Sequence, residues 1–290
     1  RIMRFDGLDH VSRLTLQGRV LGAFLIGPYH QQHFDTHEPR QCHLVVREDG
    51  QWFLLVVVQV PDGTPFPPTD FLGVDLGVIN LATTSDGIAY TGETVETCRT
   101  RYARYRQRLQ RAATLAQMDG KRPKNIRRAL KRTARREARF RRDTNHGISK
   151  TLVAAAQGTT CGLALENLQD IRARTRFRKP QRAKMSGWAF AQLRFFVEYK
   201  AQLAGVPVVL VNPRHTSQEC SRCGHIARAN RQSQAIFSCK QCRYTTNADC
   251  NAALNIRSRA RVSWPIVAGR APQQLWLLAG VGASDKLRPS

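Results

Sequence analysis

Two closely spaced pairs of cysteines constrain the fold of this chain more than any other feature of its sequence. Cys220 and Cys223 form the first pair, Cys239 and Cys242 form the second, and fifteen residues separate the pairs. This C-x2-C-x15-C-x2-C spacing is typical of a zinc site in which two knuckles each present two thiolates. Four thiolates complete the tetrahedral shell of Zn²⁺ and leave no open position, so the site is predicted to be structural. We therefore expect a zinc ribbon over residues 214–246.

The alternative for these cysteines is a pair of disulfides, or thiols that stay free. The chain has 8 cysteines in 290 residues, at positions 42, 98, 161, 220, 223, 239, 242 and 250. Disulfide frameworks belong mainly to shorter secreted chains, and the first residues, RIMRFDGLDH, lack the apolar core of a signal peptide. The cysteine usage therefore predicts a reducing, intracellular setting and favours metal binding over disulfides.

The chain is strongly basic, with 46 Lys and Arg against 21 Asp and Glu and a net charge of +25. Such an excess predicts a polyanionic partner, either a nucleic acid or an anionic membrane surface. No apolar run in the sequence approaches the roughly 20 residues that a membrane-spanning helix needs. We therefore expect nucleic acid as the partner and no membrane.

Most of this charge lies in one segment, residues 99–142, which contains 18 Lys and Arg but 2 acids, a net +16. The pattern predicts two long helices over residues 97–157, with a break at residues 118–123. A merely solvated helical face is the alternative, but so many uncompensated charges repel one another unless a polyanion lies nearby. A second basic stretch, residues 171–188, is predicted to be an exposed loop. The residues that we expect to bind nucleic acid are Arg104, Arg108, Arg111, Arg127, Arg128, Lys131, Arg135, Arg174 and Arg178.

The first 68 residues have the alternating pattern of β-strands. Residues 11–26 contain two strand-like stretches, and residues 43–60 form a predicted hairpin that turns at Asp49 and Gly50. A proline-rich linker, PDGTPFPPTD, follows. We interpret this part as a small barrel or an open sheet, and by itself it gives only a weak indication of function.

The middle of the chain predicts a mixed sheet with helices, and hence an α/β fold. Residues 71–90 are predicted to form two or three strands in a meander, and residues 162–168 a further short strand. An amphipathic helix over residues 188–204 leads into a buried strand over residues 206–211. Strand, helix and strand in this order indicate a βαβ unit.

Three acids stand within this framework, and Asp75 and Asp249 each have an ordinary structural explanation. Asp75 lies in an apolar strand and, taken alone, is most simply an acid that caps a turn at the strand end. Glu166 is the single acid in the apolar run GLALENL. Asp249 falls in the first turn of a helix for which Asn247 is the predicted N-cap, where the helix dipole favours a carboxylate. A buried acid costs several kcal/mol unless something pairs with it, so a metal-binding role for Asp75 requires other carboxylates to converge on it.

The order of these motifs resembles a known family. GVDLGVINLATTSDG, ALENL, TSQECSRCGH with SCKQCRY, and ADCNAALNI together resemble the TnpB/OrfB family of transposon-encoded RNA-guided nucleases, and the compact type V CRISPR effectors related to them. The resemblance covers roughly residues 71–256, and the combination of motifs is highly specific. It implies a RuvC/RNase H-like mixed sheet with a basic helical insertion and an inserted zinc ribbon. It also implies a prokaryotic protein that is cytoplasmic and associated with the nucleoid.

The resemblance also implies a site. Asp75, Glu166 and Asp249 match the family's three catalytic acids, which hold two Mg²⁺ ions, and the four cysteines match its structural zinc ligands. Cleavage by two metal ions about 3.5–4 Å apart needs bridging carboxylates, and oxygen ligands suit Mg²⁺. Guide RNA and target DNA are the implied partners. Family members usually carry a further helical region and the first part of the barrel before the point at which this chain starts.

These observations lead to the hypothesis of an RNA-guided, divalent-metal-dependent DNA endonuclease associated with a transposable element. Two alternatives stay open, namely an RNA-bound DNA-binding regulator without cleavage activity and a guide-independent RuvC-like structure-specific nuclease. A zinc-ribbon transcription factor would leave the three acids unexplained. The predicted organisation is a β-rich, WED-like partial barrel that binds RNA (1–68), a RuvC-like core (69–213) with its basic insertion (97–157), the ribbon (214–246), a final helix (247–262) and a flexible tail (263–290).

Overall fold

The fold was derived from a computed structural model, which describes residues 3–7, 9–47, 50–168 and 190–264. The chain divides into two compact units, residues 1–62 and residues 63–290. The predicted nucleic-acid contacts Arg174 and Arg178 lie outside the described residues, as does most of the predicted tail, from residue 265 onward. In the part of the chain that is described, no helix has the length and apolar character needed to cross a membrane.

Among its described residues, the first unit contains two antiparallel sheets and one helix. The three-stranded sheet has the order β1-β2-β3, and β4 pairs with β5 in a hairpin. The bounds are β1 Met3–Asp6, β2 His10–Thr15, β3 Gly18–Ala23, β4 Pro39–Val46 and β5 Trp52–Val58. The Gly50 amide donates to the carbonyl of Arg47 at 2.9 Å, which closes the turn of the predicted hairpin.

The first unit, predicted to be rich in β-structure, also contains a helix that the sequence pattern did not indicate. Residues Pro28–Thr36 form a helix, α1. Proline suits the first turn of a helix because its missing N–H would have no partner there. The helix is held by Phe34, whose ring meets that of Phe5 edge to face at 5.3 Å. This packing partner lies far away in sequence, so local periodicity did not reveal the helix.

The second unit is built on a five-stranded mixed sheet with the order β10-β9-β6-β7-β8, which confirms the α/β prediction. Strands β6, β9 and β10 run parallel, and β7 and β8 continue the sheet antiparallel. The bounds are β6 Asp70–Asp75, β7 Asn80–Thr84, β8 Ala89–Thr91, β9 Cys161–Glu166 and β10 Val208–Val211. The β7–β8 hairpin turns at Asp86 and Gly87, a residue pair typical of such turns, with Gly87 at a φ of 86°.

The described part of the second unit contains the helices α2 Glu93–Met118, α3 Lys124–Gly158, α4 Phe190–Leu203 and α5 Ala248–Ser263. The break between α2 and α3 falls within residues 118–123, as the sequence predicted, and Gly120 adopts a φ of 70° there. On one face of the sheet, α3 and α4 bury the side chains that alternate along the strands. The fully buried residues on this side include Val74, Leu152, Leu163, Leu165, Leu193 and Val197.

The opposite face of the sheet is covered by α5. Its Ile256 and Ala260 pack against Phe71 and Ala164 of the sheet. The helix comes so close to β6 that a Cβ atom at Gly73 would overlap the carbonyl oxygen of Ala253. The bare backbone at this position therefore lets α5 lie directly on the strand that ends in Asp75.

The four cysteines lie in a small module between β10 and α5. Strands β11 Ile236–Ser238 and β12 Thr245–Asn247 pair antiparallel within it. Phe237 is fully buried among Cys220, Cys239 and Ala248. We call residues 214–246 the cysteine module below.

Candidate active site and cysteine cluster

Asp75 and Glu166 are brought together by the register of two parallel strands. Val74 of β6 is paired with Leu165 of β9, so the next residues, Asp75 and Glu166, end their strands side by side. Side chains alternate along a strand, which puts Asp75 on the same face as Phe71. Because α5 covers that face, both carboxylates lie at the edge of the sheet where α5 begins.

Asp249 comes to the same place because of how α5 begins. The side chain of Asn247 accepts hydrogen bonds from the backbone amides of Asp249, at 2.9 Å, and Cys250, at 3.1 Å. The helix is thus capped as the sequence predicted, and Asp249 lies in its first turn. The carboxylate accepts a hydrogen bond from Nδ2 of Asn80 at 2.9 Å and another from Nη2 of Arg231 at 3.4 Å.

The electrostatics of the three acids reflect this convergence. Burial, together with repulsion from Glu166 and Asp249, raises the pKa of Asp75 to about 8, although Arg231 opposes the shift. Burial also raises the pKa of Glu166, while a hydrogen bond from the Thr216 hydroxyl and the charges of Arg259 and Arg231 act against it. In the described part of the chain no hydrogen-bond donor reaches the carboxylate of Asp75. Carboxylates that repel one another in this way suit a divalent cation.

The four cysteines also meet in space. Their sulfur atoms all lie within 4.8 Å of one another. Sγ of Cys220 is 3.7 Å from Sγ of Cys242, and Sγ of Cys223 is 3.6 Å from Sγ of Cys239. Tetrahedral zinc with Zn–S bonds of about 2.3 Å requires S···S edges of about 3.8 Å. All four thiols are free, so this cluster can hold a metal such as zinc, and the disulfide alternative does not apply.

The cysteine module is fastened to α5 by two asparagines that are one helical turn apart. Nδ2 of Asn251 donates to the carbonyl of Glu219 at 2.8 Å, and its Oδ1 accepts from the amide of Ser221 at 3.0 Å. Nδ2 of Asn255 donates to the carbonyls of Thr216, at 2.8 Å, and Glu219, at 2.7 Å. The module is thus fixed relative to Asp249, which begins the same helix.

Sequence reasoning did not identify three residues that contact the acids, namely Asn80, Thr216 and Arg231. Asn80 and Thr216 stand inside the motifs that carried the resemblance, GVDLGVINLATTSDG and TSQECSRCGH. Polar residues that recur beside a metal-binding motif are the signal that would have singled them out. No comparable local signal exists for Arg231, because its approach to Asp249 depends on how the cysteine module folds.

The seven described basic residues predicted to contact nucleic acid lie on the two long helices, and all seven are exposed. Arg104, Arg108 and Arg111 are spaced to lie along one face of α2. The other four, Arg127, Arg128, Lys131 and Arg135, lie on α3. An open groove of about 730 Å³ is lined by residues of both helices, among them Arg104, Arg108 and Arg136. The two helices therefore present a positively charged concave surface.

Two family models match the chain. Residues 53–172 match OrfB_IS605, described as a probable transposase, and residues 190–256 match the Cas12f1-like TNB domain. A CRISPR-associated endodeoxyribonuclease Cas12f1 from Syntrophomonas palmitatica is 30% identical over 232 residues, which are 76% of this chain and 46% of that protein. A putative RNA-guided DNA endonuclease InsQ from Escherichia coli K12 is 29% identical over 222 residues, which are 71% of this chain and 53% of that protein. The chain thus spans about half the length of these relatives.

Solved structures show a similar fold. A CRISPR-Cas12f ternary complex matches with a TM-score of 0.54 and 19% identity, over 85% of this chain and 50% of the solved chain. The mini-RNA-guided endonuclease CRISPR-Cas_phi3 matches with a TM-score of 0.55 and 13% identity, over 88% of this chain and 58% of the solved chain. At such identities the likeness concerns the fold alone.

Proposed function

The chain belongs to the TnpB/OrfB family, with relatives among the Cas12f nucleases, and we propose that it is an RNA-guided DNA endonuclease associated with a transposable element. In this proposal it cuts phosphodiester bonds with divalent metal ions held by Asp75, Glu166 and Asp249, at the edge of a RuvC-like sheet. Guide RNA and target DNA are its partners, and base pairing between them supplies sequence specificity.

The observation that carries this proposal is the meeting of the three acids. Asp75, Glu166 and Asp249 come from two neighbouring strands and the start of a helix. A shared divalent cation accounts for acids that lie at the same edge of the sheet, with Asp75 repelled by both of the others. The raised pKa of Asp75 reflects the cost of burying these carboxylates together without a cation.

The chemistry follows from the types of ligand. Carboxylate oxygens suit Mg²⁺, and a pair of such ions, when bound, activates water and stabilises the leaving 3′ oxygen. Asp75, whose carboxylate is repelled by both other acids, would hold the divalent cation together with them. Asn80 and Arg231 hold Asp249 through its two oxygens, and Arg231 adds one positive charge beside the acids. The surrounding donors therefore set the orientation of Asp249 and Glu166, two of the three proposed oxygen ligands.

The cysteine module has a different role in this proposal. Cys220, Cys223, Cys239 and Cys242 bind one Zn²⁺, and four thiolates leave no position for substrate. The module places Thr216 and Arg231 beside the acids and is fastened to α5 by Asn251 and Asn255. The zinc is therefore structural, and it supports the active site from outside.

Nucleic acid binds the exposed basic surface of α2 and α3 in this proposal. Arg104, Arg108 and Arg111 contribute from α2, and Arg127, Arg128, Lys131 and Arg135 contribute from α3. Contacts to phosphate carry no sequence information directly. They hold the guide and its duplex with the target, and base pairing selects the target sequence.

The test is cleavage of labelled target DNA by the purified protein with the RNA that co-purifies with it, which is identified by sequencing. We expect Mg²⁺-dependent cutting, and we expect Asp75→Ala to abolish it while RNA binding is retained. Asp86→Ala, at an exposed acid in the β7–β8 turn, is the matched control and should cut like the wild type. Undiminished cleavage by Asp75→Ala would overturn the assignment of the site.

The same experiment separates the alternatives. A defined bound RNA without any DNA cleavage would indicate an RNA-bound regulator. Cleavage of branched or structured DNA in the absence of RNA would indicate a guide-independent nuclease. A single non-coding RNA that ends beside the gene, together with RNA-dependent cutting, is the result that the proposal expects.

A further inference from the structure

Thr216 stands at a junction of three parts of the second unit. It belongs to the cysteine module, four residues before Cys220, and is 3% exposed. Its hydroxyl donates a hydrogen bond to Oε1 of Glu166 at the end of β9. Its backbone carbonyl accepts a hydrogen bond from Asn255 of α5 at 2.8 Å. One buried residue thus connects the module, the sheet and the helix that carries Asp249.

The Glu166 contact matters because a glutamate side chain at a strand end has several rotatable bonds. Burial alone does not choose among its rotamers, whereas one fixed donor does. The Thr216 hydroxyl has a single hydrogen, and the carbonyl of Pro213 lies 3.0 Å away as a competing acceptor. Hydrogen bonds to an ionised carboxylate are the stronger kind, so donation to Glu166 is favoured when that acid is charged.

Thr216 is itself held in place. Asn255 binds its carbonyl and also that of Glu219 three residues later, at 2.7 Å. Both Thr216 and Asn255 are buried, so neither exchanges these partners readily for water. The hydroxyl therefore acts as a donor at a fixed position relative to α5, and hence relative to Asp249.

We propose that Thr216 is a positioning residue that orients the Glu166 carboxylate toward Asp75 and Asp249, and that it thereby makes cation binding by the acids depend on the folded cysteine module. This inference rests on the proposed function, since it assigns the three acids to one divalent-cation site. It adds a residue that touches neither the cation nor the nucleic acid but acts through Glu166.

The test measures Mn²⁺ binding to the zinc-loaded protein by electron paramagnetic resonance. Thr216→Val removes the donor while it preserves the shape of the side chain, and Thr216→Ser restores the donor. We expect Thr216→Val to weaken Mn²⁺ binding at least about 10-fold, the usual effect of losing a partner of a metal ligand. Thr216→Ser should stay within about 3-fold of the wild type, because its hydroxyl can make the same bond.

Two controls separate positioning from a general loss of structure. Thr245→Val changes a hydroxyl of the same module whose partners among the described residues are Ser238 and Arg243, and it should not alter Mn²⁺ binding. In a Glu166→Gln background, Thr216→Val should cause no further loss, because the residue through which it acts is already changed. If Thr216→Val melts below the titration temperature, Thr216→Ala takes its place, since it also lacks the donor but puts no methyl group against the carboxylate.

Cleavage provides a second readout, in which the deficit of Thr216→Val should shrink as the Mg²⁺ concentration rises. Unchanged Mn²⁺ affinity in Thr216→Val would overturn the inference, and so would an equal loss in Thr216→Ser. If Mn²⁺ affinity does not respond even to Asp75→Ala, the proposed function itself fails. If Asp75→Ala abolishes binding and Thr216→Val does not weaken it, the role of Thr216 alone is refuted.

Discussion

Arg231 of the cysteine module donates a hydrogen bond to Asp249 at the start of α5, with 3.4 Å between Nη2 and Oδ1. The two side chains are largely buried, at 26% and 10% exposure. Burial raises the pKa of both Asp75 and Glu166, and the charge of Arg231 acts against that rise. The positive charge of the Arg231 side chain thus offsets part of the repulsion among three acids that come from other elements.

Arg231→Gln should therefore destabilise the protein most when no divalent cation is present. We expect a loss of about 1–2 kcal/mol in the free energy of unfolding without added Mg²⁺, because buried carboxylates lose a charged partner. Added Mg²⁺ should reduce that loss, since the cation takes over the compensation. Urea unfolding of the zinc-loaded protein with and without Mg²⁺ measures both values. Arg228→Gln, at an exposed position of the same module, should show no such Mg²⁺ dependence.

Cys239→Ser tests the metal in the cysteine module. Removal of one of four thiolates should abolish stoichiometric zinc, which elemental analysis measures, and should lower the melting temperature because zinc binding contributes to folding. Cys161→Ser is the control, since Cys161 lies at the start of β9 and outside the cluster. An unchanged melting curve together with zinc-free wild-type protein would contradict the proposed zinc site.

Features that depend on neighbouring residues could be predicted from the sequence, whereas the residues that contact the three acids could not. The cap at Asn247, the turn at Asp86 and Gly87 and the break after α2 were predictable, because each depends on residues close together in the chain. Asn80 donates a hydrogen bond to Asp249, which is 169 residues away in the sequence, and Thr216 donates one to Glu166, which is 50 residues away. Such pairs exist only once the sheet and module are assembled, and no periodicity in either segment indicates them.

Asp70 links the beginning of β6 to the end of α5. Its carboxylate pairs with Arg257 and with Arg261, whose Nε lies 2.6 Å from Oδ1. The hydrogen bond from Arg261 is the largest of the effects that hold the pKa of Asp70 well below its usual range, although burial opposes them. A carboxyl whose pKa is lowered on folding stabilises the protein above its unfolded pKa of about 3.9, and that stability is lost as the pH falls toward the folded value.

Asp70→Asn should therefore cost about 1–2 kcal/mol at pH 7, and the difference from the wild type should narrow as the pH falls below about 4. Urea unfolding at a series of pH values measures this convergence. Asp86→Asn, in an exposed turn, should remain close to the wild type throughout. A difference between Asp70→Asn and the wild type that does not change with pH would show that the ion pairs are not its cause.

If the basic surface of α2 contacts RNA phosphates, the association constant for RNA should fall steeply as the salt concentration rises. Each phosphate contact that is lost should reduce the slope of log K against log salt by about 0.7 for single-stranded RNA. The triple variant Arg104→Gln, Arg108→Gln, Arg111→Gln should therefore reduce the slope by about 2. Lys150→Gln, near the opposite end of α3 from the turn that joins it to α2, is the control. An unaltered slope in the triple variant would place the RNA elsewhere.

Gly73 and Gly147 form a matched pair, because the same substitution should have opposite effects at the two positions. A Cβ atom at Gly73 would overlap the carbonyl of Ala253 and lie 2.7 Å from the amide nitrogen of Arg257, both in the backbone of α5. A Cβ atom at Gly147, on the exposed surface of α3, would meet nothing within 4 Å. Gly147→Ala should therefore be neutral or stabilise the protein by about 0.5–1 kcal/mol.

Gly73→Ala should instead push α5 away from β6 and cost about 3 kcal/mol or more, as overpacking against rigid backbone does. Asp249 begins the displaced helix and Asp75 ends the strand beneath it, so Mn²⁺ affinity should fall together with stability. Urea unfolding and Mn²⁺ titration of the two alanine variants measure these effects. Wild-type Mn²⁺ affinity in Gly73→Ala would contradict this prediction. It would show that the positions of Asp75 and Asp249 do not depend on the close packing of α5 on β6.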